Sequence, residues 1–296
     1  MMETKQELSP KVRQIILGMQ QGEITEYHIY TNIAATLKDE ANKKVLLQIA
    51  AEEKRHADIW AKYTGEKVAP IKSKIIYYTL LAKIFGYTFA LKLMEKGEDL
   101  AVHTYKELID EVPIAETIAA DEDAHEQKLL GVLDEERLQY VGSMVLGLND
   151  ALVELTGTLA GLTLALQNTK LIALSGLITG ISATLSMASS EFLSARSEGR
   201  DDALKSCTYT GITYCLTVAF LVMPYLLFGY GHYMYALAVM LGIVVAIIAG
   251  FTYYISVAKD LDFKQRFKEM ATISLSVAAF SFVIGLIVKE VLGIDI

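Results

Sequence analysis

The sequence is poor in the residues that usually punctuate or staple a fold: two cysteines, four prolines and one tryptophan in 296 residues. Cys207 and Cys215 lie close together in one apolar stretch and give neither a disulfide framework nor a zinc spacing, so they read as packing residues. There is no basic stripe with interleaved aromatics, which excludes a nucleic-acid partner. The N-terminal stretch MMETKQELSPKVRQ is charged where an apolar signal region would lie, so no signal peptide is expected. Charge is scarce in one half only. Residues 1–140 hold 18 Lys+Arg and 24 Asp+Glu, whereas the remaining 156 hold 9 and 11. The net charge of −8 and mean hydropathy of +0.35 therefore average two unlike halves. The first is expected to be a soluble acidic domain, and the second is too apolar for anything but a bilayer.

The apolar half opens on residues 141–166, VGSMVLGLNDALVELTGTLAGLTLAL. This stretch has no Lys, Arg or Pro and the length of a membrane-spanning helix. Yet Asp150 and Glu154 lie one turn apart within it and share a face. A carboxylate at bilayer depth costs about 3 kcal/mol or more, and is retained where it meets a cavity, a partner or a transported cation. Four further spans are expected at about 171–195, 207–229, 233–257 and 270–292. Arg196, Arg200 and Lys205 occupy the second connection, and Lys259, Lys264, Arg266 and Lys268 the fourth. These basic loops share a side with the N-terminal domain, which is expected to be cytoplasmic, leaving the C-terminus extracytoplasmic. With no eukaryotic targeting signal, a prokaryotic plasma membrane is the expected location. Gly157-x-x-x-Gly161 and Gly176-x-x-x-Gly180 allow close helix approach. Met187 and Glu191, again one turn apart, join Asp150 and Glu154 as candidates for a transport path. Three carboxylates and a thioether suit a soft-to-borderline divalent cation rather than calcium or magnesium. Pro224 reads as a kink.

In the charged half, Ser9-Pro10 marks a helix start, a second helix fits residues 40–63 with Gly65 as its stop, and Pro113 opens a fourth. Between them a long pattern runs from Pro70 to about Ile109, bent near Gly86 and Gly97. Four helices with short connections predict an antiparallel bundle. The second helix carries Glu53-x-x-His56 and the fourth Glu122-x-x-His125. The first offers Glu23 or Glu26, and the third Glu95 and Glu98. Alternation of Glu-bearing with Glu-x-x-His helices is the ligand pattern of a di-iron or di-manganese carboxylate bundle. Ile49, Ala50, Ala57, Trp60, Ile118 and Leu129 flank the motifs and place them near the apolar stripe, where a merely solvated acidic face would not lie. Carboxylates with two imidazoles favour iron or manganese over copper or zinc-thiolate chemistry. Residues 75–94 are almost apolar enough to be a span. Interrupted by Lys83 and Lys92, they are assigned to the bundle, as a dimer contact or a surface near the bilayer.

The two Glu-x-x-His motifs, the Glu95-x-x-Glu98 pair and Tyr30 seven residues after Glu23 resemble the rubrerythrin branch of the ferritin-like superfamily, over roughly residues 10–135. The resemblance implies a di-iron site with Glu23, Glu53, Glu98, Glu122, His56 and His125 as ligands, and Glu95 as an extra, redox-dependent ligand. The rubredoxin-like four-cysteine centre of that group is absent, which removes its usual internal electron donor. Residues 140–296 resemble the vacuolar iron transporter family, most specifically around Asp150 and at Ser186-Met187…Glu191…Ala195-Arg196-Ser197-Glu198. That likeness implies that Asp150 and Met187 bind the ion and Glu191 lines the way in, in a homodimer that exchanges metal for protons. Here Ala151 follows Asp150 where the family usually has Gly, and the Glu-rich cytoplasmic helices between spans 2 and 3 are missing.

The chain as a whole resembles the membrane-bound ferritin, or rubrerythrin–transporter fusion, group. The expectation is an all-α protein: a ferritin-like four-helix bundle over residues 1–138 and a five-helix transmembrane domain over 139–296. Its function would be export of Fe(II), with manganese as the alternative ion, out of the cytosol by proton antiport. The di-iron bundle would capture, sense or oxidise the metal, leaving ferroxidase or peroxidase activity open. The partners would be metal ions, protons, the lipid bilayer and a second copy of the chain. The alternative is a membrane-anchored di-iron oxidoreductase whose spans serve only as an anchor.

Overall fold

The computed structural model describes residues 8–96, 111–132 and 139–292. Among them the structure is all-helical, with no strand. The helices are α1 (Pro10–Ala34), α2 (Glu40–Thr64), α3 (Lys72–Phe85), α4 (87–96), α5 (Ile114–Val132), α6 (Val141–Leu166), α7 (Thr169–Ser197), α8 (Ala203–Leu227), α9 (Tyr233–Ala258) and α10 (Phe263–Leu292). The chain divides into two compact units, Met1–Glu135 and Glu136–Ile296.

The first unit is built by short polar signals at helix ends and apolar rows between them. Ser9 caps α1, its Oγ accepting from the Val12 amide at 3.3 Å, and Pro10 fills the first helical position where no amide is needed. Glu111 accepts from both the amide and the hydroxyl of Ser9, tying the start of α1 to the segment before α5. Asp39 caps α2 through the amides of Ala41 and Asn42, and Gly65 ends it in the left-handed region at φ 71°. The long third helix expected from the sequence is broken. Gly86 adopts φ 98°, which a side chain resists, so α3 stops and α4 begins one residue later. The continuation towards Ile109, with Gly97 and Glu98, lies outside the described residues.

Two apolar clusters result. One gathers Val12 and Ile16 of α1, Trp60 of α2, and Ala115 and Ile118 of α5. The other gathers Ile29, Tyr30 and Ile33 of α1, Leu46, Ile49 and Ala50 of α2, Ala90, Leu91 and Met94 of α4, and Leu129 of α5. Helices α1 and α5 pass from the first cluster to the second, and α2 runs the opposite way. On each of the three, the stretch between the clusters is polar: Glu23, Glu53 to His56, and Glu122 to His125.

The second unit holds five helices long and apolar enough to cross a membrane: Val141–Leu166, Thr169–Ser197, Ala203–Leu227, Tyr233–Ala258 and Phe263–Val288. Helix α6 packs against all four others and has the most buried window. Between apolar helices in lipid there is little hydrophobic drive, so close backbone approach matters. A Cβ at Gly147 would lie 2.5 Å from the Thr210 carbonyl oxygen of α8. Gly157 and Gly161 face Ser281 of α10, and a Cβ at Gly285 would meet the Gly161 carbonyl oxygen. The first small-residue pair therefore serves the fifth span, while Gly176 and Gly180 of α7 receive Leu159 of α6 and Val218 of α8. Pro224 lies buried within the last turn of α8. The fifth span starts earlier than its apolar pattern. Asp262 accepts from the Gln265 amide at 2.6 Å, and Lys264, Arg266 and Lys268 fall in the first two turns of α10 rather than in a loop.

Gly147→Ala should destabilise the protein by about 1–3 kcal/mol, because the α6–α8 backbones must part. Gly18→Ala, where nothing lies within 4 Å, should be neutral or stabilising in its helix interior. Thermal unfolding of the detergent-solubilised chain compares the two directly; equal effects would refute the close-approach role.

Candidate metal centre

Burial decides the chemistry of the polar layer in the first unit. Glu23, Glu53 and His56 are all but inaccessible, and Glu122 is half-buried. Each of these four offers a ligand atom, and the four atoms lie within 4.8 Å of one another. His56 Nδ1 is 3.1 Å from Glu122 Oε1, 3.4 Å from Glu23 Oε2 and 4.0 Å from Glu53 Oε2. His125 Nδ1 meets the same carboxylates from the other side, 3.0 Å from Glu53 Oε1 and 3.4 Å from Glu122 Oε2. The two imidazoles stack with centroids 5.6 Å apart. Trp60, fully buried, donates its indole N–H to Glu23 Oε1 at 3.2 Å and so fixes that carboxylate.

The outer nitrogens are held by a reciprocal pair that the sequence reading passed over. Each Glu-x-x-His is preceded by another acid, Glu52 before Glu53 and Asp121 before Glu122. Asp121 on α5 lies 3.2 Å from Nε2 of His56 on α2, and Glu52 on α2 pairs with Nε2 of His125 on α5. Arg55 pairs in turn with Asp121, and Lys128 with Glu52. A carboxylate on one ring nitrogen fixes the tautomer and orients the other nitrogen towards a metal. The signal was present as a second acid directly before the Glu of each motif. It reads as ordinary helix-surface charge until the partner helix is known.

The local electrostatics are those of crowded carboxylates and imidazoles competing for protons. Burial, then the neighbouring Glu23, Glu122 and Glu26, hold the Glu53 carboxyl well above its ordinary range. Burial opposes a charged imidazole at His56, yet the Glu122 and Glu23 carboxylates outweigh it and push the group up to about 10. Glu122 is desolvated too, but the adjacent His125 and His56 imidazoles keep it below its usual range. Two buried carboxylate oxygens, Glu23 Oε2 and Glu53 Oε2, and His125 Nδ1 make no hydrogen bond. Converging, unsatisfied acceptors of this kind fit a divalent cation. Glu26, the alternative on α1, is outside the group of four. Glu95 on α4 is half-buried and also outside it, and Glu98 lies beyond the described residues.

In the second unit the expected path residues fall into distinct surroundings. Glu154 accepts from the hydroxyl of buried Tyr214 at 3.0 Å, and Asp150 is half-buried one turn before it. Beside Asp150, the Asn149 Oδ1 atom is buried without a hydrogen bond. Glu191 of α7 accepts from Ser143 Oγ of α6 at 3.0 Å and from Ser206 of α8, and the two serines are themselves 2.6 Å apart. Met187 packs against the apolar core of the unit. Tyr214, Ser143 and Ser206 were not foreseen, since a hydroxyl in a span carries no signal until its partner is known.

This is an integral membrane protein whose first unit holds a cluster of three carboxylates and an imidazole able to hold a metal ion. The VIT family model matches residues 141–202, which cover α6, α7 and the connection to α8. No curated protein and no solved structure matches the chain. The matched segment contains Asp150, Glu154, Met187 and Glu191, and the family is one of membrane transporters.

Metal binding at the first unit should release protons from His56 and Glu53, because both must be deprotonated to act as ligands. Apparent affinity for Mn(II) should therefore fall as pH is lowered. Calorimetry in buffers of differing ionisation enthalpy measures both effects, and pH-independent binding would remove these two residues from the ligand set.

Proposed function

We propose that the chain exports iron from the cytosol as Fe(II), with Mn(II) as a second cargo, in exchange for protons and as a homodimer. The observation that carries this reading is that the VIT family match falls on the two spans holding Asp150, Glu154, Met187 and Glu191. In this reading Asp150 and Glu154 accept metal and proton alternately. Tyr214 steadies Glu154, and the Ser143 and Ser206 hydroxyls hold Glu191 ready at the other end of the path. The first unit captures the metal with Glu23, Glu53, His56, Glu122 and His125, to which the family resemblance adds Glu95 and Glu98, in a prokaryotic plasma membrane with that unit cytoplasmic. A bound metal would supply Lewis acidity and redox chemistry there. The chain's own part is to hold the ligands, with Glu52 and Asp121 steering the two imidazoles. Spans serving only as an anchor would give no reason to embed Asp150, Glu154 and Glu191, the last two each held by hydroxyl donors.

The test is metal flux into sealed proteoliposomes, with Fe(II) and Mn(II) compared with and without an imposed pH gradient. Wild type should show gradient-dependent flux and Asp150→Ala should lose it while keeping its bundle metal. No flux with either ion would sink the exporter. Separately, His56→Ala combined with His125→Ala should abolish metal retention in the first unit, as read by elemental analysis of the purified protein. Undiminished metal content would discard the ligand set.

A further inference from the structure

The third helix of the first unit has an apolar face left over once the core is covered. Ile75, Tyr78, Leu81 and Ala82 of α3 pack against the cluster around Ile29, Leu46 and Leu91. The opposite side presents Ile76 at 67%, Tyr77 at 52%, Leu80 at 52% and Ile84 at 55% exposure. Apart from neighbouring Phe85, only Leu47 is another exposed large hydrophobic among the described residues of this unit. A helix apolar on both sides expects a cover on both.

The charges say what that cover is. The 14 residues of α3, KSKIIYYTLLAKIF, include three lysines and no acid, within a half of the chain where acids outnumber bases. At 3.6 residues per turn, Lys72 and Lys83 fall on one flank of the stripe and Lys74 on the other. All three are exposed. Lysines flanking an apolar stripe can bury their stems and keep their ammonium groups in a headgroup layer, and tyrosine suits the same depth. A second copy apposed through this face would bring six lysines together with no acid from either α3. Only eight residues separate Val132 of α5 from Val141 of the first span, so a lipid surface is a permanent neighbour of high effective concentration.

We propose that α3 docks on an anionic lipid surface through Ile76, Tyr77, Leu80 and Ile84, with Lys72, Lys74 and Lys83 contacting the headgroups. The proposal rests on the membrane assignment of the second unit but not on its transport activity. Each lysine near an anionic surface favours the docked state roughly fivefold.

The full chain in nanodiscs, with bromine on the lipid acyl chains as quencher, tests it. Tyr77→Trp is the reporter, Leu47→Trp the control within the same unit, and Phe280→Trp on α10 the control within a span; the wild-type signal of Trp60 is subtracted from each. In discs containing phosphatidylglycerol, emission from Tyr77→Trp should be quenched well beyond that from Leu47→Trp. Adding Lys72→Glu, Lys74→Glu and Lys83→Glu should abolish the difference. Quenching at position 280 but none at 77 overturns the docking alone. No quenching at either position brings down the membrane assignment and the docking with it. If position 77 is shielded from aqueous acrylamide yet untouched by brominated lipid, the face is covered by protein and the proposal fails.

Discussion

A carboxylate removed from water must be neutralised, and both units of this chain are arranged around that constraint. In the first unit Glu23, Glu53 and Glu122 converge between two apolar clusters, and two imidazoles enter the same space. That crowding of carboxylates pushes the proton affinity of both His56 and Glu53 upward. In the second unit Glu154 and Glu191 are met by hydroxyls instead, from Tyr214, Ser143 and Ser206. A hydroxyl donates a hydrogen bond without adding charge. It leaves the carboxylate free to change its state, whereas a lysine or arginine partner would hold it ionised.

The layered order of the first unit follows from helix geometry. On α2 the buried positions Leu46, Ile49, Ala50, Glu53, His56, Ala57, Trp60 and Thr64 recur at three and four. Glu53 and His56 thus occupy the core row itself, with apolar neighbours one turn to either side. This explains why the Glu-x-x-His spacing was legible: it is the same period that buries leucine and isoleucine. Glu23 rather than Glu26 on α1 joins the group, and Trp60 accounts for the choice by holding the Glu23 carboxylate from the core side. The roles of Glu52 and Asp121 could not be read from one helix at a time. Each acts on the histidine of the other, and that pairing exists only once α2 and α5 are side by side.

The same limit explains what the sequence left open in the second unit. Five apolar stretches announced five spans, since length and hydropathy are local properties. Which helix each small-residue pair would meet is not local. Gly157 and Gly161 approach α10, the helix farthest away in sequence, and Gly147 meets the backbone of α8. Helix α10 starts ahead of the apolar stretch that marks the fifth span, because its first turns are charged and hydropathy alone cannot see a helix that begins under an aspartate cap.

Close packing and chemistry fall on one helix. Helix α6 carries Asp150 and Glu154, and it also carries the glycines that let α8 and α10 approach its backbone. Tyr214, which serves Glu154 of α6, and Ser206, which meets Ser143 of α6, both come from α8, so both contacts depend on the α6–α8 spacing that Gly147 permits. A hydrogen bond weakens steeply once its partners part by a few tenths of an ångström beyond 3 Å. The glycine contact is therefore more than a packing device. It sets the distance at which a buried hydroxyl can hold a carboxylate, and on the proposed reading that distance governs how readily the carboxylate trades a proton for a metal.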